Sequence, residues 1–113
     1  MNWQELKDKI VAELKVSKEK AEQLLSNYKK EAEKELVKIR QKLEEQDLPK
    51  VEELLAKLKE KTKELKIEEI EEKIANFGDK LKRKTLTKEE IDQKLLELEK
   101  KLTSIFNKNN PNT

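Results

Sequence analysis

The chain has 113 residues, of which 46% are charged, 34% hydrophobic and 4% aromatic, with 27 Lys and Arg against 25 Asp and Glu, one Gly, two Pro and neither Cys nor His. That length allows one small domain, and the composition is that of long amphipathic helices rather than of a sandwich, a barrel or a Gly-rich nucleotide-binding fold. Lack of His and Cys removes the imidazole base, the thiol nucleophile, the disulfide and the usual zinc and iron–sulfur sites, so neither cofactor nor metal is expected.

Leu, Ile, Val and Phe make up 30 of the 113 residues, above the ~20% below which disorder becomes the default, so the chain can fold. Its uninterrupted apolar runs reach only two or three residues, as in Ile10-Val11-Ala12, whereas a membrane span needs ~20. The opening Met1-Asn2-Trp3-Gln4-Glu5 lacks the basic flank and apolar core of a signal peptide. A cytoplasmic chain is the expectation.

Helix 1 is expected over about 3–46. Asn2 can cap it, Glu5 completes a capping box and Met1 can staple against Leu6. Its apolar residues repeat every eleven positions: Trp3, Leu14, Leu25, Leu36 in one row, Leu6, Ser17, Tyr28, Ile39 in the next, and Ile10, Ala21, Ala32, Leu43 in the third. Only Ser17 departs, and its hydroxyl is expected to bond back to a preceding carbonyl. Eleven residues in three turns give a nearly straight helix.

Helix 2 is expected over about 49–83, with Pro49 in its tolerant first turn. Val51, Leu54, Leu55, Leu58, Thr62 and Leu65 form one stripe, and Ile67, Ile70, Ile74, Phe77 and Leu81 form another on a different face. A single helix that changes partners near Lys66 accounts for the shift, with breaks near Lys66 or Gly78 as the alternative. Thr87 and Glu90 then make a second capping box, opening helix 3 over about 88–106 with Ile91, Leu95, Leu98, Leu102 and Ile105 inward. Residues 107–113 are expected to be a disordered tail.

The expected fold is therefore all-α: one domain over 1–106, a long-helix antiparallel bundle or coiled coil of three helices, or four with a break. The stripes on either side of the 84–86 turn match in length and can close as an antiparallel hairpin. Helix 1 and the first half of helix 2 would project as a two-helix arm, leaving Val37, Leu54 or Leu55 facing water.

That arm motivates the functional expectation of a non-enzymatic helical interaction module, working as a homo-oligomer or with a helical partner. The candidate interface is Val37, Leu54 and Leu55 with the row Lys7, Lys18, Lys29 and Arg40, which could set register against acidic positions such as Glu22, Glu33 and Glu44. The alternative is a peripheral protein on an anionic lipid surface, since eleven-residue amphipathic repeats suit such helices. The opposite edge of helix 1 is not basic, which weighs against it. A second alternative is a nucleic-acid-associated protein using Lys80, Lys82, Arg83 and Lys84, a cluster without interleaved aromatics. Glu68, Glu69, Glu71 and Glu72 read as a solvated face rather than a cation site, and no Ser, Thr or Tyr has a base or a Gly-rich loop in its sequence context.

Overall fold

A computed structural model describes residues 2–106, which form five α-helices and no strand: α1 (Trp3–Leu14), α2 (Lys18–Glu44), α3 (Leu48–Glu64), α4 (Glu68–Lys82) and α5 (Lys88–Phe106). The proposed staple of Met1 and the tail from Asn107 onward lie outside the described residues.

Side chains close to the chain's own amides start most of these helices. Asn2 Oδ1 accepts from the Glu5 amide at 2.8 Å while Glu5 Oε1 accepts from the Asn2 amide at 3.1 Å, and Thr87 with Glu90 repeats the exchange at 3.2 and 2.8 Å before α5. Asp47 accepts from the Lys50 amide ahead of α3, whose first turn contains Pro49. No side chain caps α4. There Glu68, Glu69 and Glu71 fill the first turn, placing three carboxylates at the positive end of the helix dipole.

Two of the expected helices are divided. Lys15 takes a left-handed conformation (φ 55°) and ends α1, and Ser17 Oγ then accepts from the Lys20 amide at 3.1 Å to start α2. Ser17 is thus an exposed cap rather than a buried residue on a continuous stripe. The second division is at Lys66 (φ 58°), where the Ile67 amide donates to Thr62 O and the Lys66 amide to Lys63 O. This paired closure ends the helix and satisfies carbonyls that would otherwise be orphaned. The same closure recurs at Gln46 and at Lys84. Gly78, by contrast, sits inside α4. Five helices therefore replace the three or four expected, and a long coiled coil is not seen: the molecule measures 42 × 30 × 19 Å, too short for a straight 44-residue helix of ~66 Å.

The helices α2, α3, α4 and α5 close into an antiparallel ring, each packed on the next and α5 returning to α2. Lys61 pairs with Glu31 across α2 and α3, Lys101 with Glu69 across α4 and α5, and Arg40 with Glu99 across α2 and α5. The α4–α5 pairing runs in the direction the matched stripes require. Helix α1 folds back on the start of α2, where the Trp3 indole donates to Glu22 Oε1 at 3.0 Å and Lys7 lies 3.6 Å from the same oxygen.

No two-helix arm exists. Leu54 and Leu55, expected at its surface, are 3% and 2% exposed, because α4 covers the side of α3 that α2 leaves open. The eleven-residue rows nevertheless mark the buried face of α2 (Ala21, Leu25, Tyr28, Ala32, Leu36, Ile39). Far from the α2–α3 turn, Phe106 meets Trp3 and Tyr28 edge-on, with ring centroids 6.4 and 5.8 Å apart. Lys9 donates to Lys66 O nearby at 3.1 Å, tying α1 to the α3–α4 turn. Helix α1 thus covers that end of the bundle, with Val11, Leu14, Val16 and Leu24 partly exposed beside it.

Candidate functional site

The opposite end is less complete. The α2–α3 turn and the α4–α5 turn lie side by side there, and between them opens a groove of about 530 Å³. Arg40, Leu43, Glu44, Gln46 and Leu48 form one wall; Leu86, Lys88, Ile91 and Asp92 form the other. Its four aliphatic residues, Leu43, Leu48, Leu86 and Ile91, pack on the core yet remain partly exposed. The turns explain why. Closures at Gln46 and Lys84 end α2 and α4 at this end, and among the described residues no further helix packs over the two turns.

Arg40 spans the two walls. Its Nη2 and Nε donate to the two carboxylate oxygens of Glu99 at 2.7 and 3.3 Å, and its Nη1 donates to Asp92 Oδ1 at 2.8 Å. These hydrogen bonds, to Glu99 first and Asp92 second, raise the guanidinium pKa further above its usual value. The network uses every nitrogen of the fork and sets one cation between two carboxylates, so Arg40 and Asp92 both have partners within the chain. Glu44 and Lys88 do not: neither has an ion-pair partner among the described residues.

Charge beside the walls is mixed, Arg40 and Lys42 preceding Glu44, Glu45 and Asp47, and Lys88 preceding Glu89, Glu90 and Asp92. Residues 44–47 contain three carboxylates and no cation, whereas residues 80–88 contain five cations and no carboxylate. Lys80, Lys82, Arg83, Lys84 and Lys88 are all exposed. Arg83 pairs with Asp79 at 3.1 Å, and Lys84 supplies the left-handed residue that ends α4.

The structure disperses the other candidate interface residues. Lys7 is engaged with Glu22 and Arg40 with α5, Lys18 is exposed near the start of α2, and Lys29 is half-buried. The break at Lys15–Ser17 interrupts the row, so no continuous basic rail exists. Val37 remains a surface residue at 62% exposure, one turn before Arg40. The groove residues Leu48, Leu86 and Lys88 were invisible as a site in sequence, since they come from two turns about 40 residues apart. A usable signal was present: both turns place a lone Leu in an otherwise polar stretch.

A second, more polar groove of about 410 Å³ runs between α3 and α4 beside Ala56, Ala75 and Gly78. Glu35, on α2, is 8% exposed and leaves Oε2 without a hydrogen-bond partner among the described residues, but it lines neither groove. Among the described residues no group of three metal-ligating side chains comes together, and no helix is long and apolar enough to cross a membrane. No protein-family model, curated protein or solved structure matches the chain.

Proposed function

We propose that the protein is a non-enzymatic helical interaction module whose contact surface is the groove between the α2–α3 and α4–α5 turns. The observation that carries this reading is the groove itself, where Leu43, Leu48, Leu86 and Ile91 from two separate turns stay partly exposed together and are framed by charged side chains. An apolar floor with a charged rim is the anatomy of a surface that accepts a helix face or a short amphipathic segment.

The lipid-surface reading asks for an exposed apolar stripe along a helix. Here the stripes face inward, and among the described residues Val37 is the large hydrophobic residue left exposed. A nucleic-acid reading has the exposed cluster at 80–88, but Trp3, Tyr28, Phe77 and Phe106 are all buried and cannot stack on bases.

Panning displayed helical peptides on the purified chain tests the proposal. Binders are expected, and Leu86→Asp or Leu48→Asp should abolish their binding while circular dichroism shows the helices intact. Binders indifferent to both substitutions, or none at all, would overturn it.

A further inference from the structure

We infer that α1 is an exchangeable clasp: in a second arrangement it leaves its own bundle, continues α2 as one helix, and lies across the same end of a second copy, which returns its own α1 in exchange. The eleven-residue rows run through the division without losing phase: Trp3 and Leu14 lead into Leu25 and Leu36, Leu6 into Tyr28 and Ile39, and Ile10 into Ala21, Ala32 and Leu43. A hinged chain has no need of that register, because the helices on either side of a break orient independently. A single helix needs it to keep one apolar face. Between α1 and α2 lie Lys15, Val16 and Ser17, with neither Gly nor Pro, so no residue there forbids helix. The break is held by Lys15 at φ 55° and by the Ser17 cap, and the left-handed turn costs a residue with a Cβ. A continuous helix releases that strain.

The seat that α1 would vacate is already fitted to α1. Trp3, Leu6 and Ile10 are buried; Trp3 packs edge-on to Phe106, its indole donates to Glu22, Lys7 lies beside the same carboxylate, and Lys9 reaches Lys66 O. These contacts join α1 to α2, to α5 and to the α3–α4 turn. Exchange repeats each of them between copies and needs no new complementary surface, which makes it a low-cost route to a dimer, and a short hinge under strain favours it. The hinged monomer holds at low concentration, because bringing two chains together carries its own entropic cost. The groove between the α2–α3 and α4–α5 turns lies at the opposite end and takes no part, so this inference stands apart from the function proposed above.

The ion pair of Lys7 with Glu22 supplies the test, since a carbodiimide condenses such a pair to an amide and takes up the water. Isotope-labelled and unlabelled full-length chains are mixed in urea, refolded together at ~1 mM, separated by size and cross-linked. In the dimer fraction about half of the Lys7–Glu22 cross-links should join a labelled to an unlabelled peptide, the value for random pairing of exchanged chains; in the monomer fraction none should. Ser17→Ala removes the cap and should raise the dimerisation constant roughly tenfold, each dimer containing two hinges. Lys15→Gly suits the left-handed break and weakens a continuous helix, so it should lower the constant roughly tenfold. Because Lys15→Gly should also raise the urea midpoint of the monomer, its loss of dimer is separated from a folding defect. A chain that yields no dimer at ~1 mM, a dimer whose cross-links all join like-labelled peptides, or hinge variants that leave the constant unmoved would overturn the exchange.

Discussion

Tyr28 and Thr62, 34 residues apart, share a buried hydrogen bond of 2.7 Å between their hydroxyls across α2 and α3. Its direction follows from a second bond: Thr62 gives its one proton to Leu58 O at 2.7 Å, so Tyr28 donates to Thr62. Thr62 is fully buried and Tyr28 is 4% exposed. Tyr28→Phe should therefore cost about 1 kcal/mol in urea melts, the net value of one such bond. Thr62→Val should cost a similar amount or more, by stranding the tyrosine hydroxyl.

The same pair makes the fold sensitive to alkali. Burial pushes the Tyr28 phenol up to about 12. A phenol raised above its unfolded value near 10 favours folding in its neutral form; that contribution is complete below pH 10 and is lost as pH rises towards 12. Wild type and Tyr28→Phe should thus lose stability in parallel up to about pH 10 and diverge above it, wild type falling faster. Parallel curves up to pH 12 would contradict the assignment.

The left-handed helix ends invert the usual placement of glycine. Lys15, Gln46, Lys66 and Lys84 hold positive φ, which costs a residue with a Cβ roughly 1 kcal/mol. The lone Gly78 lies mid-helix with open space where a Cβ would be. Gln46→Gly and Lys66→Gly should each stabilise by ~0.5–1 kcal/mol, and Gly78→Ala by a similar amount, read as shifts of the urea midpoint at unchanged slope. Lys15→Gly belongs to the same set.

Arg40 should resist conservative replacement. Arg40→Lys keeps a charge but loses the fork that meets both oxygens of Glu99 and reaches Asp92. Because the group is partly solvated, the expected loss is modest, about 0.5–1 kcal/mol, and 1 M salt should shrink it. A loss unchanged by salt would point to packing of the side-chain stem instead.

Much of this architecture is legible in the residues themselves. The boxes at Asn2–Glu5 and Thr87–Glu90, the Asp47–Pro49 turn and the inward rows of α2 are local patterns, and local chemistry settles them. The division at Lys15 is not, and the one at Lys66 is open only as an alternative to a continuous helix, because lysine carries no preference for positive φ; tertiary packing imposes it where two stripes must face different neighbours. Ser17 was the visible trace of the first, a polar residue interrupting an apolar row because it caps a new helix. The phase jump from Leu65 to Ile67 was the trace of the second. With helix 1 and helix 2 each divided, the arm vanishes, Leu54 and Leu55 go inside, and the groove arises between turns that no single segment reveals.

Within the ring of α2 to α5, the seam between α5 and α2 is not formed by sequence neighbours. The main contacts, between α1 and α2, α2 and α3, α3 and α4, and α4 and α5, join consecutive elements; α5 against α2, with Trp3 on Phe106 and Lys9 on Lys66 O, reaches back along the chain. Such a wiring diagram has low contact order and belongs to the fast-folding end of small domains. It also sets a sequence of events: hairpins form by short loop closures, and the approach of Glu99 to Arg40 and of Phe106 to Tyr28 comes last. A chain still emerging during synthesis would hold helices α2, α3 and α4 as an open sheet of helices until α5 arrives to complete the circle.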